Sequence, residues 1–182
     1  MNLGQWPFFD EEQLEITNEI LKTGKVNYWT GNYVKKFEEE FSDFFKVKYS
    51  VALSNGTVAL SLAYKSLGLK KGDQIITTPR TFIATTSSAI LNEIKPVFAD
   101  IDLNSGCITA ETIEPLINKN TKCISVVHLG GWPADMDKIK QLADSYSISI
   151  LEDCSQAHGA EFKYKGRFRP VGYLSDISTW SF

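Results

Sequence analysis

Short β-branched runs separated by helical stretches recur along this chain at a nearly constant interval, and that rhythm restricts its fold more than any other feature. The candidate strands are YSVALS from residue 49, QIITTP from 74, KPVFADI from 95, KCISVVHL from 122, SISILED from 147 and SDISTWSF from 175. The first five starts lie roughly 21–27 residues apart, the length of one βα unit with its loops. The expectation is an α/β fold whose mostly parallel sheet carries helices on both faces. Most of the runs are continuously apolar rather than alternating, as strands covered on both sides must be.

The intervening segments have helical period and ends to match. Asp135 can cap a helix that puts Met136, Ile139, Leu142, Ala143 and Tyr146 on one face, and Ser54 and Asn55 precede TVALSLAYKSLGL, which should stop near Gly68. Residues 1–48 break the rhythm and are expected to form a separate helical segment, with residues 49–182 as the α/β unit. Within the first part, DEEQLEITNEILKTG has Asp10 at the N-cap, Gln13 at the capping-box position and Gly24 at its close. YVKKFEEEFSDFFK carries an apolar stripe of Val34, Phe37, Phe41, Phe44 and Phe45, which is expected to face a core.

Totals exclude several classes of function. With 43% hydrophobic residues in 182, the chain can bury a core. Nineteen basic against 22 acidic residues give a net charge of −3, without the positive field that nucleic-acid binding needs. The N-terminus has no basic and apolar leader and no stretch approaches the ~18 apolar residues of a membrane span, so a cytoplasmic protein with no membrane contact is expected. Cys107, Cys123 and Cys154 are widely spaced, which argues for free thiols and against a disulfide framework or a zinc site.

In open parallel sheets, ligands bind beyond the carboxyl ends of the strands, where helix N-termini face the crevice. The first strand end offers SNGT, in which Gly56 permits close backbone approach and Thr57 adds a hydroxyl, although the same residues serve a plain N-cap. No G-x-G-x-x-G follows, so a dinucleotide-binding domain is disfavoured. Phe82 follows a proline turn and can stack on a planar ligand or simply pack. Asp100 and Asp102 suit turn and capping roles better than a metal site, and His128 stands before a Gly-Gly turn as either a substrate contact or a structural residue. The strand SISILED ends in Glu152 and Asp153, followed by Cys154, Ser155, Gln156 and His158. Together these ends suit a flat, phosphorylated, nitrogen-containing ring such as pyridoxal phosphate. Its phosphate fits Gly56, Thr57 and Ser181, its face fits Phe82, its ring nitrogen fits Asp153, and its phenolic oxygen fits Gln156.

From about Gly24 onward, the order and spacing of FEEEFSDFF, ALSNGTVALSLAYKSLGLKKGDQIITTPRTFIAT, KPVFADID, VVHLGGWPADMD, LEDCSQAHGA and DISTWSF resemble the DegT/DnrJ/EryC1/StrS family of pyridoxal-phosphate-dependent sugar aminotransferases. The resemblance implies an aspartate-aminotransferase-like large domain (fold type I) and, for the intact enzyme, a homodimer. It also implies transfer of an amino group from an amino acid such as glutamate to a keto-sugar nucleotide, with pyridoxal or pyridoxamine phosphate as cofactor. It places cofactor contacts at Gly56, Thr57, Phe82, Asp153, Gln156 and Ser181 and assigns no chemistry to Cys154 or Ser155, with Glu152 shaping the turn and His158 undecided. The family's Schiff-base lysine is expected about four residues past Phe182, so these residues are expected to be the N-terminal part of such an enzyme, inactive alone, with the small C-terminal domain beyond them. Two alternatives stay open: a sugar dehydratase of the same family, with histidine in the lysine's place, and a non-catalytic fragment that binds cofactor or sugar nucleotide.

Overall fold

Alternate residues of each central strand enter two different cores, as a sheet covered on both faces demands. The computed structural model describes residues 7–182, so residues 1–6 of the expected N-terminal segment lie outside the described residues. Its helices are α1 (Glu11–Thr23), α2 (Tyr33–Phe45), α3 (Gly56–Ser66), α4 (Ala84–Leu91), the short α5 (Ala110–Ile113) and α6 (Met136–Tyr146). Its strands are β1 (Gln74–Thr77), β2 (Lys95–Phe98), β3 (Thr121–Val127), β4 (Ser149–Asp153), β5 (Glu161–Tyr164), β6 (Arg167–Pro170) and β7 (Ile177–Thr179). Five of them form one sheet in the order β2-β1-β3-β4-β7, parallel throughout.

On one face Ile76, Ile124 and Ile150 pack with Met136, Ile139 and Ala143 of α6. On the other, Ile75, Cys123 and Leu151 pack with Leu60, Ala63 and Tyr64 of α3 and with Ala84 and Ala89 of α4. Each fully buried Ile or Leu contributes about 1.5–3 kcal/mol, so the βα rhythm stabilises the sheet from both sides. Polar caps fix where the covering helices begin: Asn55 accepts from the Val58 amide and Asp135 from the Lys138 amide. Because β1 lies between β2 and β3, the chain winds outward in both directions from that strand, and this switch point opens a crevice at the carboxyl ends. Among the described residues no helix is long and apolar enough to cross a membrane.

Residues 49–54, expected as the first strand, are not a strand. The Ser50 hydroxyl donates to the Glu38 carbonyl and the Ala52 amide donates to Glu38 Oε1 at 2.8 Å, so α2 satisfies groups that a sheet neighbour would otherwise take. Val51 and Leu53, the side chains that suggested a buried strand, are 73% and 42% exposed. A second departure lies between β4 and β7, where the sequence analysis places no strand. Lys163 lies in β5, which pairs antiparallel with β6, and Lys165 and Gly166 turn the hairpin with φ of 48° and 78°. Phe162 and Tyr164 attach the hairpin to the α6 core.

The N-terminal helices follow their sequence signals more closely at their ends than on their faces. α1 has the full Asp10–Gln13 capping box and Gly24 in the left-handed conformation, yet it buries none of its residues. Of the aromatic stripe on α2 only Phe45 is buried. Phe41 and Phe45 pack on Trp180 with ring centroids 5.4 and 4.0 Å away, whereas Phe44 is 66% exposed.

Candidate functional site

The crevice at the switch point is a cleft of 280 Å³ bordered by Gly56, Thr57, Phe82, Asp153, Gln156 and Ser181. The six residues singled out from sequence therefore meet in one place, although they come from α3, the β1–α4 turn, the end of β4 and the segment after β7. Gly56 and Thr57 open α3, where first-turn amides have no intrahelical acceptor and the helix end attracts anions. Glycine at 56 is a packing requirement: a Cβ there would stand 2.9 Å from Ser181 Cβ. Phe82 is 68% exposed at the rim, so it is not a core aromatic.

Asp153 lies at the floor, only 5% exposed. Its Oδ2 accepts the Thr85 hydroxyl at 2.8 Å, and its Oδ1 accepts the Ser155 hydroxyl at 2.7 Å and the Ser155 amide at 3.3 Å. Since Thr85 commits its only proton to the carboxylate, the 2.8 Å contact between the Thr81 and Thr85 hydroxyls must run from Thr81 to Thr85. Below them, buried Tyr64 donates to the Thr85 carbonyl at 3.0 Å and receives the Ser125 hydroxyl at 3.1 Å. Burial pushes the Tyr64 phenol well above its ordinary value, so it acts there as a donor. Three hydrogen bonds leave a carboxylate with about one acceptor position of four free.

Gln156 is oriented by the turn that follows β3. The Gly130 amide donates to Gln156 Oε1 at 2.8 Å, which assigns the carbonyl side of the amide and turns its NH₂ into the available donor. That turn has φ of 66° at Gly130 and 81° at Gly131, conformations that favour glycine.

Glu152, one residue before Asp153, points to the opposite side of the sheet, as strand alternation requires. It is fully buried and accepts three N–H groups: His128 Nε2 at 2.8 Å and the Gly172 amide at 2.7 Å on Oε2, and the Ser175 amide at 3.1 Å on Oε1. His128 is equally buried, and its Nδ1 accepts the Ala134 amide at 3.2 Å, so the ring proton is on Nε2. Cys154 is buried, and burial holds its thiol well above its usual value, which makes it inert. His158 packs against Trp180 and Phe182 at 5.3 and 4.8 Å between ring centroids and lies outside the cleft lining; partial burial lowers its pKa. Asp100 and Asp102 take turn roles: Asp100 accepts the Ile101 amide, and Asp102 is held below the usual carboxylate range by the Ser105 amide first and the Ser105 hydroxyl second.

Thr81, Thr85 and Ser155 join the site only through the fold. Thr81 lies three residues before α4, so helical spacing does not mark the pair, and their contact with each other and with Asp153 is set by the tertiary fold. Ser155, to which the resemblance assigns no chemistry, contributes two of the three hydrogen bonds to Asp153.

The chain as a whole is similar to known proteins. The chain is 39% identical over 176 residues to GDP-perosamine synthase of Escherichia coli O157:H7, a match covering 97% of this chain and 47% of that protein. Among solved structures it superposes on the aminotransferase from Psychrobacter cryohalolentis with a TM-score of 0.93 and 44% identity, covering 98% of this chain and 44% of that one. It also superposes on NtdA from Bacillus subtilis with bound cofactor PMP, with a TM-score of 0.84 and 34% identity, covering 93% of this chain and 37% of that one. The chain thus spans less than half the length of these relatives and has the aspartate-aminotransferase-like, fold-type-I architecture. Since the family model matches residues 7–182, all of the chain that the structure describes, the chain belongs to the DegT/DnrJ/EryC1/StrS aminotransferase family.

Proposed function

We propose that the cleft binds pyridoxal or pyridoxamine phosphate and that the protein transfers an amino group from an amino acid, glutamate being the expected donor, to a keto-sugar nucleotide. The observation that carries this reading is Asp153, a buried carboxylate with acceptor capacity left over, at the floor of a cleft that also holds a helix N-terminus and an exposed aromatic ring. The donor set fits the cofactor. Gly56, Thr57 and Ser181 would take the phosphate, Phe82 the ring face, Asp153 the ring nitrogen and Gln156 the phenolic oxygen. Bound there, the cofactor would supply an electron sink for the carbon from which a proton is removed.

The protein's own groups do the orienting. Thr85 and Ser155 fix the Asp153 carboxylate, which would hold a proton on the ring nitrogen, and Gly130 occupies Gln156 Oε1, which leaves the NH₂ as the group that would donate to the phenolic oxygen. A name such as GDP-perosamine synthase among the relatives supports a nucleotide-linked sugar as the acceptor. The same reading treats residues 49–182 as cofactor-binding large-domain sequence behind a helical segment of residues 1–48, in a homodimer.

Titrating the 182-residue chain with pyridoxamine phosphate tests the cofactor assignment. Saturable binding that Asp153→Ala weakens about tenfold to a hundredfold, as loss of a charge-assisted hydrogen bond would, supports it; binding indifferent to that substitution overturns it. The reaction is tested by incubating the product of the whole reading frame with glutamate and keto-sugar nucleotides and looking for the aminated sugar.

A further inference from the structure

The buried pair behind the sheet calls for a role, because a carboxylate and an imidazole with no exposure are rarely left to simple packing. Donor atoms of His128, Glu152 and Cys154 lie within 4.8 Å of one another, which is compatible with metal ligation on distance alone. Most of their lone pairs are already used: three N–H groups occupy three of the four acceptor positions of Glu152, and the Ala134 amide occupies His128 Nδ1. What the pair does is join two chain segments. Glu152 ties the turn at Gly172–Ser175 to β4, and through His128 it ties the β3 turn to the same strand.

We infer that His128 and Glu152 are positioning residues that set the amide of Gln156 from behind the sheet. The connection runs through short, fixed steps. Glu152 Oε2 holds the His128 ring by Nε2, the ring's other nitrogen holds the Ala134 amide at the far end of the turn, and the His128 carbonyl accepts the Gly131 amide at 3.2 Å. The imidazole therefore spans the loop from residue 128 to residue 134 and fixes its curvature. Gly130 lies inside that span, and its amide is the group that assigns Gln156 Oε1 and frees the NH₂ for the cleft. Neither His128 nor Glu152 needs to touch a ligand to act in this way. The inference rests on the reading of Gln156 as a cofactor contact.

A double-mutant cycle separates positioning from general structural support. His128→Asn should weaken pyridoxamine phosphate binding about tenfold, the equivalent of one well-made hydrogen bond, but by less than about twofold when Gln156 is already alanine. Equal losses in both backgrounds would overturn the inference. Glu152→Gln provides a second, milder variant: its one oxygen can keep His128 and Gly172, while its NH₂ meets the Ser175 amide. It should give the same non-additivity at smaller amplitude. Amide hydrogen exchange in the cofactor-free chain supplies a reading that does not depend on the cofactor. Exchange at Gly130 should accelerate in both variants with β3 amides unchanged, and unaltered Gly130 exchange overturns the inference. If the wild-type chain fails to bind pyridoxamine phosphate, the cofactor assignment falls and Gly130 exchange alone decides the positioning role.

Discussion

Thr85→Val tests whether the floor of the cleft is organised around Asp153. Valine keeps the shape of threonine and removes the hydroxyl that donates to Asp153 Oδ2 at 2.8 Å. A hydrogen bond to a charged group is worth about 1.5–3 kcal/mol. Two considerations bring the expected loss to the middle of that range. The carboxylate is 5% exposed and has little water to substitute for the lost donor, while Ser155 still supplies two contacts on Oδ1. The expected destabilisation is about 2 kcal/mol, or a fall in Tm of about 4–8 °C for a domain of this size. Urea unfolding at neutral pH should show a lower midpoint with an unchanged m-value. The cause is then isolated in the Asp153→Ala background, where no carboxylate needs the hydroxyl and Thr85→Val should cost less than about 0.5 kcal/mol. A loss below about 0.5 kcal/mol in the wild-type background, or an equal loss in both, would refute the claim that Thr85 serves the carboxylate.

Three further outcomes follow from local geometry. Gly56→Ala should destabilise by about 1–2 kcal/mol despite alanine's helix preference, because its Cβ meets Ser181 at 2.9 Å; adding Ser181→Gly should remove most of that loss in the same urea assay, since the remaining neighbour, the Trp180 carbonyl, is at 3.4 Å. Burial pushes the Cys123 thiol up from 9.0 to about 12 and raises Cys107 and Cys154 as well, so the native state keeps protons that the unfolded chain releases. Stability is therefore complete below the unfolded thiol value and should fall as pH rises through the window from about 9 to about 12; urea midpoints across that window check this, and Cys123→Ala should flatten the slope. Asp10→Ala removes a capping box worth about 1 kcal/mol from a helix that buries none of its residues, so amide exchange across α1 should accelerate while exchange in β3 stays constant.

The βα rhythm, the apolar runs of β1, β3 and β4, and the caps at Asp10, Asn55 and Asp135 are short-range patterns, and the folded chain follows them. They are legible because period and capping chemistry act within a few residues. The same reading misplaced residues 49–54, because β-branched residues favour a strand only where a neighbour can pair with it, and Glu38 satisfies this segment's groups instead. It missed the β5–β6 hairpin because Lys165–Gly166 is a weaker turn signal than Asn-Gly.

The site divides along the same line. Asp153 and Gln156 could be picked out because polar groups that end a core strand stand where parallel sheets bind ligands. Their partners could not: Thr85 is 68 residues from Asp153, Gly130 is 26 from Gln156, and His128 is 24 from Glu152. Those contacts exist because parallel pairing sets Val127 beside Asp153 and Asp153 beside Thr179, a register that the packing of both sheet faces fixes together. Local chemistry thus says which residues can act, and the long-range pairing of strands says which of them reach one another.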